Sequence, residues 1–425
     1  MSQQEALSNQ TNQHSGVMNP STISRRILLV HQNFPGQFRR IGHSWANEPG
    51  WEVIGLGRRT APGMDTVRWI PYDLARQPAK QQHPYLRQME GAVLHGQAAA
   101  RVMLQLKQKG YRPDAILAHP GWGETLYVRD IFPDARLIHF CEWYYGTPDS
   151  DTGFDPEFPS NFDTLAKLRT WNALHNLNLE HCDVGVSPTQ WQRSRHPDIY
   201  LPKIQLAHEG VDTDLLQPDA CAQLTLPNGH TVKAGDPVIT YVARNLEPYR
   251  GFHVFMRTLE KVQKAHPRCH TIIVGGDDVS YGQKPSDAPN WREKMLREVS
   301  LDATRTHFMG KVPYDVYRKV LQVSAAHVYL TYPFVLSWSM LEAMASGCLV
   351  IGSRTGPVEE VLIDGENGLL VDFFDTGAMA DRIVQALDNQ AALQPLRLAA
   401  QRCTQARYSF KEGERRFREL LSAQA

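Results

Sequence analysis

The feature that most constrains this chain is a rhythm. Short apolar runs alternate with longer stretches of helical period from Ile27 almost to the end. Ile27-Leu28-Leu29-Val30 is apolar at consecutive positions, which fits a strand buried on both faces. Comparable runs lie at 52–56, 67–72, 115–118, 137–140, 184–187 and 204–207, with helical patterns at 86–109 and 165–181. Strands alternating with helices predict parallel crossover units and a doubly wound α/β sheet. The rhythm breaks over 213–237, where Pro218, Pro227, Asn228-Gly229, Gly235 and Pro237 point to a linker. It then restarts, with strands at 238–243, 271–274, 327–331 and 349–352. Helices are expected at 252–265, 291–299, 314–323, 340–345, 379–387, 393–407 and 410–421.

The expected organisation is therefore two Rossmann-like doubly wound α/β domains facing across a cleft. A first domain spans 25–212, a linker 213–237 and a second domain 238–405, with a terminal segment at 406–425. Residues 1–24 are rich in Gln, Asn, Ser and Thr and have too little apolar surface to order, so a disordered tail is expected. Lys+Arg and Asp+Glu both number 45. That balance argues against a dedicated nucleic-acid binder. The basic stretch from Arg76 to Arg112 reads as a solvated helix face. No run approaches the ~20 apolar residues of a membrane span, so membrane contact is at most peripheral. The start has no secretory h-region. The six cysteines are scattered without C-x-x-C spacing, which suits reduced thiols of a cytoplasmic protein and no zinc site.

Three loops carry the chemistry. His31-Gln32-Asn33-Phe34-Pro35-Gly36-Gln37-Phe38 is a strand end, a Pro-Gly turn and a helix start, and Gly36 permits close backbone approach at that helix start. Arg244 and Arg250 flank a strand–helix loop, where guanidinium forks suit a diphosphate. In Thr331-Tyr332-Pro333-Phe334-Val335-Leu336-Ser337-Trp338-Ser339-Met340-Leu341-Glu342, a strand ends and a loop with Ser337, Trp338 and Ser339 opens a helix. Its amides suit phosphate, and Glu342 suits ribose hydroxyls.

Together these residues resemble the retaining, two-Rossmann (GT-B) glycosyltransferases of family 4, often called group 1. The likeness runs through Arg244-x5-Arg250, Gly310-Lys311-Val312-Pro313, Leu341-Glu342-Ala343-Met344-Ala345-Ser346-Gly347, Gly356-Pro357-Val358-Glu359-Glu360 and Asp364-Gly365-Glu366-Asn367-Gly368. In the first half it is looser, through Pro35-Gly36, 114–119 and His208-Glu209-Gly210-Val211-Asp212. The resemblance implies that Arg244 and Arg250 hold the donor diphosphate, with Arg250 standing where lysine is usual. It implies that Glu342, the second acid of the family's E-x7-E, holds the ribose. Lys311 and Val312 would meet the base, and His119 would lie near the reacting sugar. The first domain would bind the acceptor and the second the nucleotide sugar, and a C-terminal helix at 406–425 would pack back on the first domain. Read by itself, His119 is equally a satisfied core histidine, and Glu342 an exposed helix-start acid. The family's first acid falls at Phe334, which puts donor-sugar recognition in question. Glu209 stands where asparagine is common.

Asp149-Ser150-Asp151 spells a D-x-D, and Asp277-Asp278 follows a strand. Cationic groups already face the diphosphate in this reading, so both acidic pairs are expected to be solvated loops and no metal is expected. Trp143-Tyr144-Tyr145 either lines an acceptor site or packs into its own domain. The function implied is metal-independent transfer of a sugar from a nucleotide-diphosphate donor, UDP- or GDP-linked, to a hydroxyl of a glycan, lipid-linked or other acceptor, with retention, as in polysaccharide or glycoconjugate synthesis. The alternatives are a sugar-nucleotide-binding protein of the same fold with lost or altered activity, or a transferase acting on protein or nucleic acid.

Overall fold

The computed structural model describes residues 23–146 and 148–422. The expected tail falls almost wholly outside the described residues. Ser24 is placed, however, and its backbone and hydroxyl both donate to the Gly50 carbonyl.

Seven strands form the first sheet: β1 (Arg25–Val30), β2 (Trp51–Arg58), β3 (Arg68–Tyr72), β4 (Ala115–Ala118), β5 (Arg136–Phe140), β6 (Val184–Ser187) and β7 (Ile204–Leu206). All pair in parallel, in the order β3-β2-β1-β4-β5-β6-β7. The apolar run of β1 has a direct cause. Ile27 and Leu29 pack on one face of the sheet and Leu28 and Val30 on the other, each fully buried.

Residues 213–237 are not a plain linker. They carry a two-stranded antiparallel hairpin, β8 (Gln223–Thr225) and β9 (Thr231–Lys233), turned through Asn228-Gly229. Leu224, Leu226 and Val232 bury against Val238 and Ile272 of the second sheet. Each strand is three residues long, too short for an alternating pattern to show.

The second sheet holds β10 (Val238–Asn245), β11 (His270–Gly276), β12 (Thr306–Gly310), β13 (Ala326–Tyr329), β14 (Val350–Ser353) and β15 (Leu369–Val371). Its order is β12-β11-β10-β13-β14-β15, again parallel throughout. The sequence pattern missed β12 and β15. β12 reads Thr-His-Phe-Met-Gly and is only half apolar, and β15 is three residues long.

The last helix, Phe410–Ser422, leaves the second half. Phe417 and Leu421 join the core of the first sheet, and Arg136 Nε donates to the Leu420 carbonyl at 2.6 Å. Gly210 makes this return possible. It sits at φ 77°, and a Cβ there would lie 2.5 Å from Phe410 Cα. No described helix is long and apolar enough to cross a membrane.

Candidate active site

Both sheets reverse strand order at their first strand, between β1 and β4 and between β10 and β13. Ligands of open α/β sheets bind outside the carboxyl ends of the strands at such points. His31 follows β1 and His119 follows β4. Arg244 is the last residue but one of β10, and the loop to Ser337 follows β13. Most of the expected site residues therefore issue from the two switch points, whereas Lys311 and Val312 follow the edge strand β12.

In the second half, Arg244, Arg250, Ser337 and Ser339 line one cavity of about 50 Å³, together with Asn245, Glu247 and Tyr281. Arg250 is buried. Its Nη1 donates to Thr331 Oγ1 at 2.7 Å, to the Val335 carbonyl at 3.0 Å and to Tyr329 Oη at 3.3 Å, and the guanidinium lies 5.4 Å from the Tyr281 ring centroid. These partners are all uncharged, and among the described residues no carboxylate pairs with it. A buried cation without a counter-charge is costly, so the site favours an anionic ligand. Arg244 is exposed, with no hydrogen-bond or ion-pair partner among the described residues.

The helix Trp338–Ala345 opens on the same cavity. Ser337 is its N-cap, accepting from the Ser339 amide at 3.3 Å, and its own amide donates to Tyr329 Oη at 2.8 Å. Trp338 turns away, and its indole Nε1 donates to Glu209 across the lobes. Glu342 is buried one turn on, not exposed. Tyr317 Oη donates to it at 2.7 Å, Tyr314 Oη at 3.3 Å, and Arg40 of the first half approaches to 3.5 Å. Lys311 lies across the end of β11 beside Asn245, where a Cβ added at Gly276 would be 2.6 Å from Lys311 Cε. Val312 packs into the core beside it.

In the first half, a hydrogen-bonded chain joins two histidines. Gln37 Oε1 accepts from His31 Nε2 at 2.7 Å, and Gln37 Nε2 donates to Glu142 at 2.8 Å. His119 Nε2 lies 3.2 Å from the other oxygen of Glu142. The Gly121 amide donates to His119 Nδ1, so Nε2 carries the proton that Glu142 accepts. Burial pushes the Glu142 carboxyl up, but the His119 and Gln37 contacts hold it below its ordinary value. Burial, then the neighbouring His119, lowers His31 to about 3. Gly36 stands at φ 49°, and a Cβ there would lie 2.3 Å from the His31 ring. The turn thus positions His31, and with it Gln37. His119 stacks on Trp122 at 4.4 Å and lines a second cavity of about 50 Å³ with Glu142, Trp143 and Tyr145.

The D-x-D segment is not a solvated loop. Asp149 is exposed, but Ser150 and Asp151 are buried, and Tyr249 Oη of the second half donates to Asp151 at 2.7 Å. Asp155 follows, accepting from Tyr332 Oη at 2.6 Å and meeting His253 Nε2 at 2.9 Å. The segment straps one lobe to the other. Asp155, Glu157 and His253 lie close enough to share an ion, but the Arg257 guanidinium occupies Glu157. Asp278 is exposed and pairs with Lys284, whereas Asp277 is half-buried beside Arg292, with its Oδ1 buried and unpartnered among the described residues. Trp143 is buried against Phe334 with ring centroids 4.8 Å apart.

Sequence reasoning missed Arg40, Gln37, Glu142, Tyr281, Tyr314 and Tyr317. Gln37 sits inside a motif already singled out. Tyr314 and Tyr317 share one helix, but Arg40, Glu142 and Tyr281 come from elements far apart in sequence, and no spacing marks them.

Two doubly wound parallel sheets with facing switch points define a GT-B protein. The family model described as glycosyl transferase family 4 group matches residues 49–216, and that described as glycosyl transferases group 1 matches 236–389. The chain belongs to the group 1, family 4 glycosyltransferases, a retaining family. Among curated relatives it is 26% identical over 247 residues to a GDP-mannose-dependent alpha-(1-6)-phosphatidylinositol monomannoside mannosyltransferase of Mycolicibacterium smegmatis, covering 56% of this chain and 62% of that one. It is 28% identical over 220 residues to a D-inositol 3-phosphate glycosyltransferase of Corynebacterium diphtheriae, covering 48% and 47%. The chain spans about half the length of the curated relatives it matches. Its fold is similar to that of sucrose-phosphate synthase from Thermosynechococcus elongatus (TM-score 0.70, 19% identity, 93% of this chain and 98% of that one). It is also similar to Anabaena HepE in complex with UDP and glucose (TM-score 0.66, 15% identity, 94% and 99%).

Proposed function

We propose that the chain transfers a sugar from a nucleotide-diphosphate donor, UDP- or GDP-linked, to an acceptor hydroxyl with retention of anomeric configuration. The observation that carries this reading is Arg250, a buried guanidinium with only neutral partners, opening on one cavity with Arg244 and the Ser337–Ser339 helix start. Its bonds to Thr331, the Val335 carbonyl and Tyr329 leave from Nη1, and Tyr281 also meets the guanidinium. The diphosphate would lie there, with both arginines and the helix-start amides stabilising charge as it departs. Glu342 would hold the ribose and Lys311 and Val312 the base. The first half would offer the acceptor, with His119 and Glu142 beside the reacting carbon. The departing phosphate itself can take the acceptor proton, and the closed lobes exclude water.

Calorimetry with UDP and GDP, followed by nucleotide release from UDP- and GDP-sugars with and without acceptor, tests the reading. Binding of neither nucleotide by the intact chain would end it. A second reading, donor binding without transfer, draws on Phe334, which puts a ring where the family has an acid. Nucleotide binding with no release from any donor is its signature.

A further inference from the structure

The cavity that holds the two arginines has a wall that neither they nor the Ser337–Ser339 helix start supplies. The loop 277–290 joins β11 to the helix Trp291–Glu298 and brings Ser280 and Tyr281 into the cavity lining. That loop has no helix or strand of its own, so side chains from elsewhere fix its course. Glu247, buried within the loop that carries Arg244 and Arg250, does most of this. Its Oε1 accepts from the Ser280 amide at 2.9 Å, and its Oε2 accepts from the Tyr281 and Gly282 amides at 3.2 and 2.9 Å. Asn245 Nδ2 adds a bond to Ser280 Oγ at 2.8 Å. Three consecutive amides closed around one carboxylate form a nest. They offset a negative charge that would otherwise repel a phosphate in the same cavity, and they fix where Tyr281 stands.

Tyr281 is 40% exposed, whereas Arg250 beside it is buried. The Tyr281 ring lies against Phe334 and Tyr249, with centroids 5.0 and 5.8 Å away. The Arg250 guanidinium is 5.4 Å from the ring centroid, and the two side chains are hydrogen-bonded. A guanidinium can only donate, so the phenol oxygen accepts that bond and keeps its own O–H to give. No described residue takes it. A hydroxyl that accepts from a cation becomes the stronger donor for its own bond.

We propose that Tyr281 is a ligand of the donor diphosphate, its hydroxyl donating to a phosphate oxygen and carrying the influence of the buried Arg250 outward, and that Glu247 is the residue that positions it. The inference rests on the transferase reading above and adds to its site a contact from a third loop.

Calorimetry of the full chain with UDP and GDP tests both parts. Tyr281→Phe keeps the ring and removes only the hydroxyl. The folded variant should bind the nucleotide preferred by the wild type at least tenfold more weakly. Glu247→Gln keeps the shape but turns an NH2 group toward amides that themselves donate. It should weaken binding at least tenfold, and adding Tyr281→Phe to it should cost less than a further twofold. A Glu247 that serves only the fold would leave the two losses to multiply. If Glu247→Gln does not fold, Glu247→Asp draws the carboxylate back by one methylene and gives the same comparison. Wild-type affinity in folded Tyr281→Phe overturns the ligand role, and multiplying losses overturn the positioning role. Either result leaves the transferase reading intact. A wild-type chain that binds neither nucleotide overturns that reading as well.

Discussion

Arg40 of the first half reaches to 3.5 Å from Glu342 of the second, while its other Nη donates to the Gly210 carbonyl at 3.1 Å. One guanidinium thus joins the lobe interface to the acid expected to hold the donor ribose, and closure and donor binding share a contact.

Glu342→Ala should therefore act twice. It leaves the buried Tyr317 hydroxyl without its acceptor, costing about 1–3 kcal/mol of stability. It should also weaken UDP or GDP binding about tenfold, the size of one lost hydrogen bond to a charged acceptor. Urea unfolding and calorimetry read the two effects separately. Wild-type nucleotide affinity in a folded Glu342→Ala protein would remove this acid from the site.

Arg244 and Arg250 should separate stability from function. Arg244 is exposed and unpartnered, so Arg244→Ala should leave Tm unchanged while lowering turnover by roughly a hundredfold, as loss of one charge-stabilising donor does. Arg250→Lys keeps the charge but cannot hold Thr331, the Val335 carbonyl and a ligand at once. It should lose both stability and turnover. Full activity in Arg244→Ala with a lowered Tm would count against the diphosphate role.

Acid should unfold this protein early. Burial lowers His31, His139 and His175 to about 3, and His196 and His327 to about 4, from an ordinary value of 6.5. The unfolded chain takes up these protons first as pH falls. Stability is therefore complete above about 6.5 and is lost from there down to about 4 for His196 and His327 and to about 3 for His31, His139 and His175, by about 1.4 kcal/mol per pH unit for each such histidine. Both ring nitrogens of His139 lack partners among the described residues, so His139→Leu should reduce the slope by about one proton. Urea midpoints at pH 5, 6 and 7 measure it. An unchanged slope would show that His139 does not stay neutral.

Gly36→Ala should cost about 1–3 kcal/mol, since its Cβ meets the His31 ring and the backbone is left-handed there. Adding His31→Ala opens the space and should restore part of that loss. Thermal unfolding of the single and double variants shows the coupling, and strict additivity would deny it.

The legibility of this chain was uneven for physical reasons. Strands buried on both faces, such as Ile27-Leu28-Leu29-Val30, announce themselves because every side chain is apolar. The hairpin β8–β9 and the strands β12 and β15 do not, because they are short or polar and owe their place to neighbours. Arg244, Arg250, Ser337 and Glu342 were readable because one strand–loop–helix unit supplies each cluster, so that spacing carries geometry.

The sequence alone determined the doubly wound class, through short apolar runs alternating with longer stretches of helical period, and the arginines and serines of the second half, which are local in the chain. Only tertiary structure decided the partners. It brought Arg40 to Glu342, Glu142 to His119, the Asp151–Asp155 strap to Tyr249 and His253, and Trp143 to Phe334. Most of these pairs span separate elements, and several cross the cleft, where two lobes meet and no periodicity in either one encodes the other.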